Sequence, residues 1–150
     1  MQIISSSIPS TPNILLVDDS SDGLLVRRCL LEEIGCRVET AVNGEEGLKL
    51  FQRRKFDVVV TDYRMPRMNG AELIQRIRLL DPNARIILLS GFVEPLGLTE
   101  ENTGADAVIA KSANEPARLV RTVRRLVNRA ARKPPGSQVA LQARAGAISR

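Results

Sequence analysis

The stretch Val58–Gly70, VVVTDYRMPRMNG, opens on a run of apolar β-branched residues, ends that run on an acid, Asp62, and continues into a Met-Pro and an Asn-Gly. An unbroken apolar run of this length, bounded by turn residues, reads as a strand buried in the interior of a sheet. A carboxylate at the end of such a run is costly to place without a use. The segment therefore predicts an interior strand that delivers one charge to the edge of a sheet and then turns sharply.

Outward from this stretch the same arrangement recurs. Asn13–Val17, NILLV, is a short buried-type run that ends on Asp18 and Asp19. Ala84–Gly91, ARIILLSG, is a further strand, Asp106–Lys111, DAVIAK, a shorter one, and CRVETA, from Cys36, alternates like a strand. Between them lie helical patterns. Asp22–Ile34 carries Leu24, Leu25, Leu31 and Ile34 at helical spacing and is stopped by Gly35. Asn43 caps a second helix, with Glu46 in capping-box position, that reaches about Arg54. A third runs from about Asn69 to Leu80 and closes at Asp81-Pro82, and a last one spans Glu115–Arg132. Five strands alternating with helices predict an α/β fold with a doubly wound parallel sheet.

Composition narrows the function classes. With 150 residues the chain is long enough for one domain with a real core, and 43% hydrophobic residues suit a folded protein. One Tyr, three Phe and no Trp leave a mostly aliphatic core and argue against a site of stacked aromatics. The absence of His excludes His-based catalysis and His-ligated metals. Cys29 and Cys36 have no metal-binding companions and are expected to be two small buried hydrophobes in a reducing cytoplasm. The first ten residues, MQIISSSIPS, lack the charge and apolar core of a signal peptide, and no apolar run reaches membrane-spanning length, so a soluble cytoplasmic protein without membrane insertion is expected. Charge is uneven: residues 1–115 hold 13 Lys/Arg against 17 Asp/Glu, whereas residues 116–150 hold nine Lys/Arg and no acid.

In an open parallel sheet the ligand site lies at the carboxyl ends of the strands. Those ends here carry Asp18 and Asp19, Asp62, Ser90 and Lys111. Any one of them alone reads as a solvated strand-end residue; all five on one edge do not. Three carboxylates in one cleft need a counter-charge, and a hard cation such as Mg2+ answers that. Lys111 supplies a point charge and Ser90 a donor for a phosphoryl oxygen. The set suits phosphoryl transfer, with Asp62, the central carboxylate, as nucleophile.

The strings LLVDD, VVVTDYRMPRMNG, ILLSG and VIAK together resemble the receiver domain of two-component response regulators, of the single-domain, chemotaxis-regulator-like kind, over about Asn13–Ala131. The resemblance implies a flavodoxin-like strand order 2-1-3-4-5 with helices on both faces. It implies that Asp62 accepts a phosphoryl group from a phosphohistidine on a sensor histidine kinase or histidine phosphotransfer protein. Asp19 would bind Mg2+ directly beside Asp62, the Arg64 backbone carbonyl would be a further ligand, and Asp18 would act through water. Lys111 would pair with the phosphoryl group and Ser90 would move to bond it. Such a protein is a phosphoacceptor that catalyses its own phosphorylation and dephosphorylation, not a conventional turnover enzyme. It would signal to a downstream protein partner, and a homodimer is one further arrangement.

Several positions depart from that family pattern. Val108 stands at the switch position where an aromatic ring is common, and Ser112 stands where a proline, often cis, follows the lysine. Pro95 and Gly97 fall in FVEPLGLTEENTGA, where the family has its fourth helix, and predict a loop, a short helix or a mobile segment there. Arg64 and Phe92 flank the phosphoryl position and are candidates for tuning its lifetime. In the final helix Leu119, Val120, Val123, Leu126, Val127 and Ala130 form a packing stripe, while Arg118, Arg121, Arg124, Arg125, Arg129 and Arg132 fill the rest. That basic face reads first as a solvated surface, then as a dock for an acidic partner, and last as a contact for nucleic acid. Residues 1–12 read as a flexible leader, 13–131 as the receiver domain and 132–150 as a flexible basic tail, with any effector on another polypeptide. A phosphorylation-independent pseudo-receiver, a basic DNA-associated regulator and an aspartate-based phosphatase are the competing readings. The last lacks a second acid at the position of Arg64.

Overall fold

The computed structural model describes residues 11–132; residues 1–10 of the expected leader and 133–150 of the expected tail lie outside the described residues. Five strands, β1 (Asn13–Val17), β2 (Arg37–Ala41), β3 (Val58–Asp62), β4 (Ile86–Ser90) and β5 (Ala107–Ala110), pair in parallel in the order β2-β1-β3-β4-β5. Six helices connect and follow them: α1 (Ser21–Glu33), α2 (Gly44–Arg53), α3 (Gly70–Leu80), α4 (Val93–Leu96), α5 (Glu100–Thr103) and α6 (Glu115–Arg132). Among the described residues no helix is long and apolar enough to cross a membrane.

Strand periodicity sorts the core into two layers. Ile14, Leu16, Val58, Val60, Ile87 and Leu89 face α1 and α6, where Leu31, Leu119, Val123 and Leu126 are buried against them. Leu15, Val17, Val59, Ile86 and Leu88 point the other way, onto Leu73, Ile74 and Ile77 of α3, with Leu48 and Phe51 of α2 beside them. Every residue of β3 and β4 is buried, which is why those strands read as unbroken apolar runs. The largest fully buried side chains are all Leu and Ile, the aliphatic core expected from the composition.

Helix starts follow local chemistry. The Ser20 hydroxyl accepts from the Gly23 N–H at 3.1 Å, so α1 begins at Ser21, one residue earlier than expected. Asn69 and Glu72 complete a capping box, each side chain accepting from the other's backbone N–H at 2.9 Å. At α2 the box is only half made. Asn43 accepts from the Glu46 N–H at 2.7 Å, but the Glu46 carboxylate accepts from the Val42 N–H at 2.8 Å instead of reaching back to Asn43.

The segment between β4 and β5 forms two four-residue helices separated by Gly97. Pro95 sits in the first turn of α4, where its missing N–H has no intrahelical partner to lose. The Val108 N–H, on the last strand of the sheet, donates to Glu100 Oε2 at 3.0 Å. Arg78 of α3 ties this end together, donating to the carbonyls of Pro82, Ala84 and Gly104 and pairing with Asp106 at 3.0 Å. No cis peptide bond is present among the described residues, the bond after Lys111 included.

Two readings of α1 need correction. Cys36 is buried, but Cys29 is exposed, and Leu25 is 61% exposed. The buried stripe runs through Leu24 and Leu31, with Leu30 and Ile34 partly buried beside it. Cys29 and Leu25 lie off that stripe, on the turn of the helix that meets solvent.

After Asp62 the chain reverses through a tight turn at Arg67, φ +69°, where the Met68 N–H closes onto the Pro66 carbonyl at 2.7 Å. It then starts α3 directly under the strand end, the Gly70 N–H donating to the Tyr63 carbonyl at 2.7 Å. A Cβ at position 70 would meet the Asp62 carbonyl oxygen, Leu88 Cδ1 at 2.8 Å and Tyr63 Cα at 3.0 Å. Backbone on two sides cannot give way as a flexible side chain would. Gly70→Ala is expected to lower the unfolding free energy by about 3 kcal/mol in urea titrations; a loss below ~0.5 kcal/mol, within the range of ordinary surface changes, would show that the loop relaxes freely.

Candidate functional site

The parallel register brings the predicted residues to one edge. Asp18 directly follows β1, and its N–H donates to the Ala41 carbonyl of β2 at 3.1 Å. Asp62 and Ser90 are the last residues of β3 and β4, and Lys111 directly follows β5, its N–H donating to the Ser90 carbonyl at 2.9 Å. Asp18, Asp62 and Ser90 are buried, with 2%, 6% and 2% exposure, while Asp19 is exposed. Backbone ladders thus hold three of the side chains, and Asp19 is the acid that meets solvent.

One carboxylate oxygen each of Asp18, Asp19 and Asp62 lies within 4.8 Å of the others. This is a set of hard, anionic oxygen donors close enough to share one cation, and it suits a small divalent ion. Lys111 Nζ pairs with Asp62 Oδ1 at 2.6 Å. Asp62 therefore has both an acidic pair and an ammonium as close neighbours. The Ser90 hydroxyl accepts from the Phe92 N–H at 2.9 Å, which ties it to its own loop.

Arg64 and Phe92, expected on either side of the site, meet each other: the Arg64 guanidinium lies over the Phe92 ring, 4.4 Å from its centroid. Val108, expected at the switch position, is half-buried and packs into the core layer beneath α2 and α3. On α6 Leu119, Val123 and Leu126 are buried and Val120 and Val127 partly so, while Arg118, Arg121, Arg124, Arg125 and Arg129 are exposed. The side chains of Ala130 and Arg132 lie outside the described residues.

Two residues at the site were missed in the sequence. Arg27 of α1 donates to Asp18 Oδ2 at 2.9 Å and also to both carboxylate oxygens of Glu115, the first residue of α6. A signal was present: Glu115 is the last acid in the chain, alone at the head of an otherwise basic segment.

Electrostatics set Asp62 apart. Burial pushes its carboxyl above the ordinary carboxylate range, Asp18 adds to the rise, and Lys111 and Arg27 pull against it. A group that binds its proton more tightly folded than unfolded stabilises the protein most below the ordinary carboxylate range. That contribution is lost as pH rises through the raised pKa. In metal-free buffer at pH 7 Asp62→Asn is expected to raise the melting temperature by about 3 °C. The gain should shrink as the pH is lowered toward the ordinary carboxylate range; a gain independent of pH would show that the charge is not its cause.

Comparison with known proteins agrees with the geometry. The sequence profile of the response regulator receiver domain matches residues 14–124. A response regulator receiver protein of Anaeromyxobacter sp. (strain Fw109-5) is 36% identical over 103 residues, which cover 68% of this chain and 43% of that protein. The chemotaxis protein CheY of Thermotoga maritima is 31% identical over 115 residues, 75% of this chain and 95% of that one. The first relative, and the virulence sensor protein BvgS of Bordetella bronchiseptica, of which the match covers 6%, are much longer than the part this chain spans. Among solved structures, response regulator protein TrrA from Thermotoga maritima in complex with Mg(2+)-BeF superimposes with a TM-score of 0.70 at 34% identity, over 77% of this chain and 99% of that one. With its strand order, its acidic pocket and a profile match over most of its length, the chain belongs to the response regulator receiver domain family of two-component signalling.

Proposed function

We propose that this receiver accepts a phosphoryl group from a phosphohistidine donor onto Asp62, in a Mg2+-dependent reaction, and passes the signal on by contact with another protein. The observation that carries this reading is the placement of Asp62, buried among Asp18, Asp19 and Lys111 at the end of a rigid interior strand. Lys111 anchors Oδ1, which leaves Oδ2 as the nucleophile. The oxygen forms a bond to phosphorus as the phosphorus–nitrogen bond of the donor breaks, and the imidazole leaves with the electron pair. Lys111 neutralises charge on the transferred group, and Ser90 turns from the Phe92 N–H to donate to a phosphoryl oxygen. Bound by Asp19 and Asp62, by the Arg64 backbone carbonyl and through water by Asp18, Mg2+ would supply the remaining charge neutralisation. The Thermotoga relative described with Mg(2+)-BeF supports that assignment.

The Arg64–Phe92 stack joins the two residues that the family resemblance sets beside the phosphoryl group, which supports a role in lifetime. Placed there, the stack would limit access of water to the acyl phosphate. Val108 in place of an aromatic ring, and the two short helices before it, imply a readout that does not use a rotating ring.

Intact-mass spectrometry after incubation with acetyl phosphate tests the chemistry. The wild type should gain one base-labile phosphoryl group only with Mg2+, and Asp62→Asn should gain none. No gain under any condition would overturn the reading in favour of a binding module that no longer phosphorylates. In the same assay Phe92→Ala and Arg64→Ala, either of which breaks the stack, should each shorten the lifetime several-fold; unchanged decay in both would remove the stack from the mechanism.

A further inference from the structure

Among the described residues Arg27 and Lys111 form ion pairs with the acids of the pocket, and nothing in the acceptor chemistry above requires Arg27. Its Nη1 donates to Asp18 Oδ2 at 2.9 Å, while Nε and Nη2 grip Glu115 in a two-point fork, also at 2.9 Å. The three side chains are 11%, 3% and 10% exposed for Arg27, Asp18 and Glu115, so water screens the cluster little. The other oxygen of Asp18 accepts from the Ser20 N–H at 3.0 Å, which leaves the carboxylate fixed at both ends.

The surrounding chain is shaped to this cluster. Gly23 lies inside α1, where glycine is a poor choice, yet a Cβ there would come within 2.5 Å of Asp18 Oδ2 and 2.8 Å of Arg27 Nη1. The pair occupies the space a side chain would take. Glu115 stands in the first turn of α6, where the positive end of the helix favours a carboxylate. The field of Arg27 extends past Asp18: it also acts on Asp62, where it opposes the effect of burial.

Resting on the reading that Asp18, Asp19 and Asp62 take Mg2+, we propose that Arg27 is a positioning residue that sets the cation affinity of the pocket, with Glu115 regulating how much of the Arg27 charge reaches Asp18. A guanidinium fixed on Asp18 repels an incoming divalent cation and holds that carboxylate in place, away from direct ligation. Glu115 draws part of the guanidinium's charge toward α6. The two residues therefore act on the pocket with opposite signs. Were the cluster only a structural tie between α1 and α6, loss of either partner would loosen the pocket in the same direction.

Isothermal titration of Mg2+ alone into the full chain separates these cases. Arg27→Met should bind Mg2+ roughly tenfold more tightly, since a charge a few ångströms from the site is removed in a poorly screened setting. Glu115→Gln should bind several-fold more weakly, and Arg27→Lys, which keeps the charge, should stay near the wild type. Thermal melts by circular dichroism on the same samples report folding. Affinities that move together in Arg27→Met and Glu115→Gln, or that do not move, overturn the proposal. Should Arg27→Met fail to fold, an unchanged or tighter affinity in Glu115→Gln overturns it. A wild type that binds no Mg2+ brings down the functional reading as well, whereas binding with unshifted variants brings down this inference alone.

Discussion

Repulsion among carboxylates at the edge of a buried sheet is the constraint on which the rest of this structure depends. Asp18, Asp19 and Asp62 present oxygens within 4.8 Å of one another, and two of these residues are buried. In a site of low effective dielectric such a group holds its charge only if cations are built in around it. The chain brings them from two sides, Lys111 from the end of β5 and Arg27 from α1. The sheet ladders give these groups a rigid base, so that the repulsion cannot relax by movement of the strands. Asp19, the exposed member of the group, has no ion pair among the described residues, so the net charge of the site favours a cation there.

The local surroundings of Asp62 follow from this. The strand before it is buried at every position, and the chain leaves the edge at once. A tight turn at Arg67 and the close passage of Gly70 beneath the strand end achieve that exit. The Asn69–Glu72 capping box then fixes the start of α3. The Met-Pro-Arg-Met-Asn-Gly string is thus a geometric solution for reversing the chain within a few residues of a charge.

Most of the fold was legible because its signals are local. Unbroken apolar runs mark β1, β3 and β4, and the polar residue ending each run is the one that the parallel register brings to the common edge. Lys111 was found in the same way. The Arg27–Glu115 pair was not, because its members are 88 positions apart and only the packing of α1 beside α6 brings them together. An arginine on an amphipathic helix has no local mark to distinguish a solvated side chain from one folded inward. The stack of Arg64 on Phe92 is hidden for the same reason, although each residue is a candidate on its own. Cys29 and Leu25 show the reverse error: apolar character alone placed them inward, but the stripe through Leu24 and Leu31 left them outside. In the segment after β4, Pro95 and Gly97 mark the break in the helix, and the two helical turns on either side of the break, the second capped by Thr99, needed the structure.

The bond between Glu100 and Val108 has a consequence beyond the site. β5 ends the sheet, and a terminal strand offers its outer backbone groups to any extended segment that drifts alongside, whether from another protein or from a second copy. Here the Val108 N–H is already engaged by a carboxylate at 3.0 Å. An incoming strand would have to break that bond and leave a negative charge pressed against its own carbonyls. The two helices that precede β5 are four residues each, and an acidic side chain from the second of them takes up this donor. Glu100 is in this sense a guard against edge-to-edge polymerisation, built into the same segment that breaks the family's fourth helix.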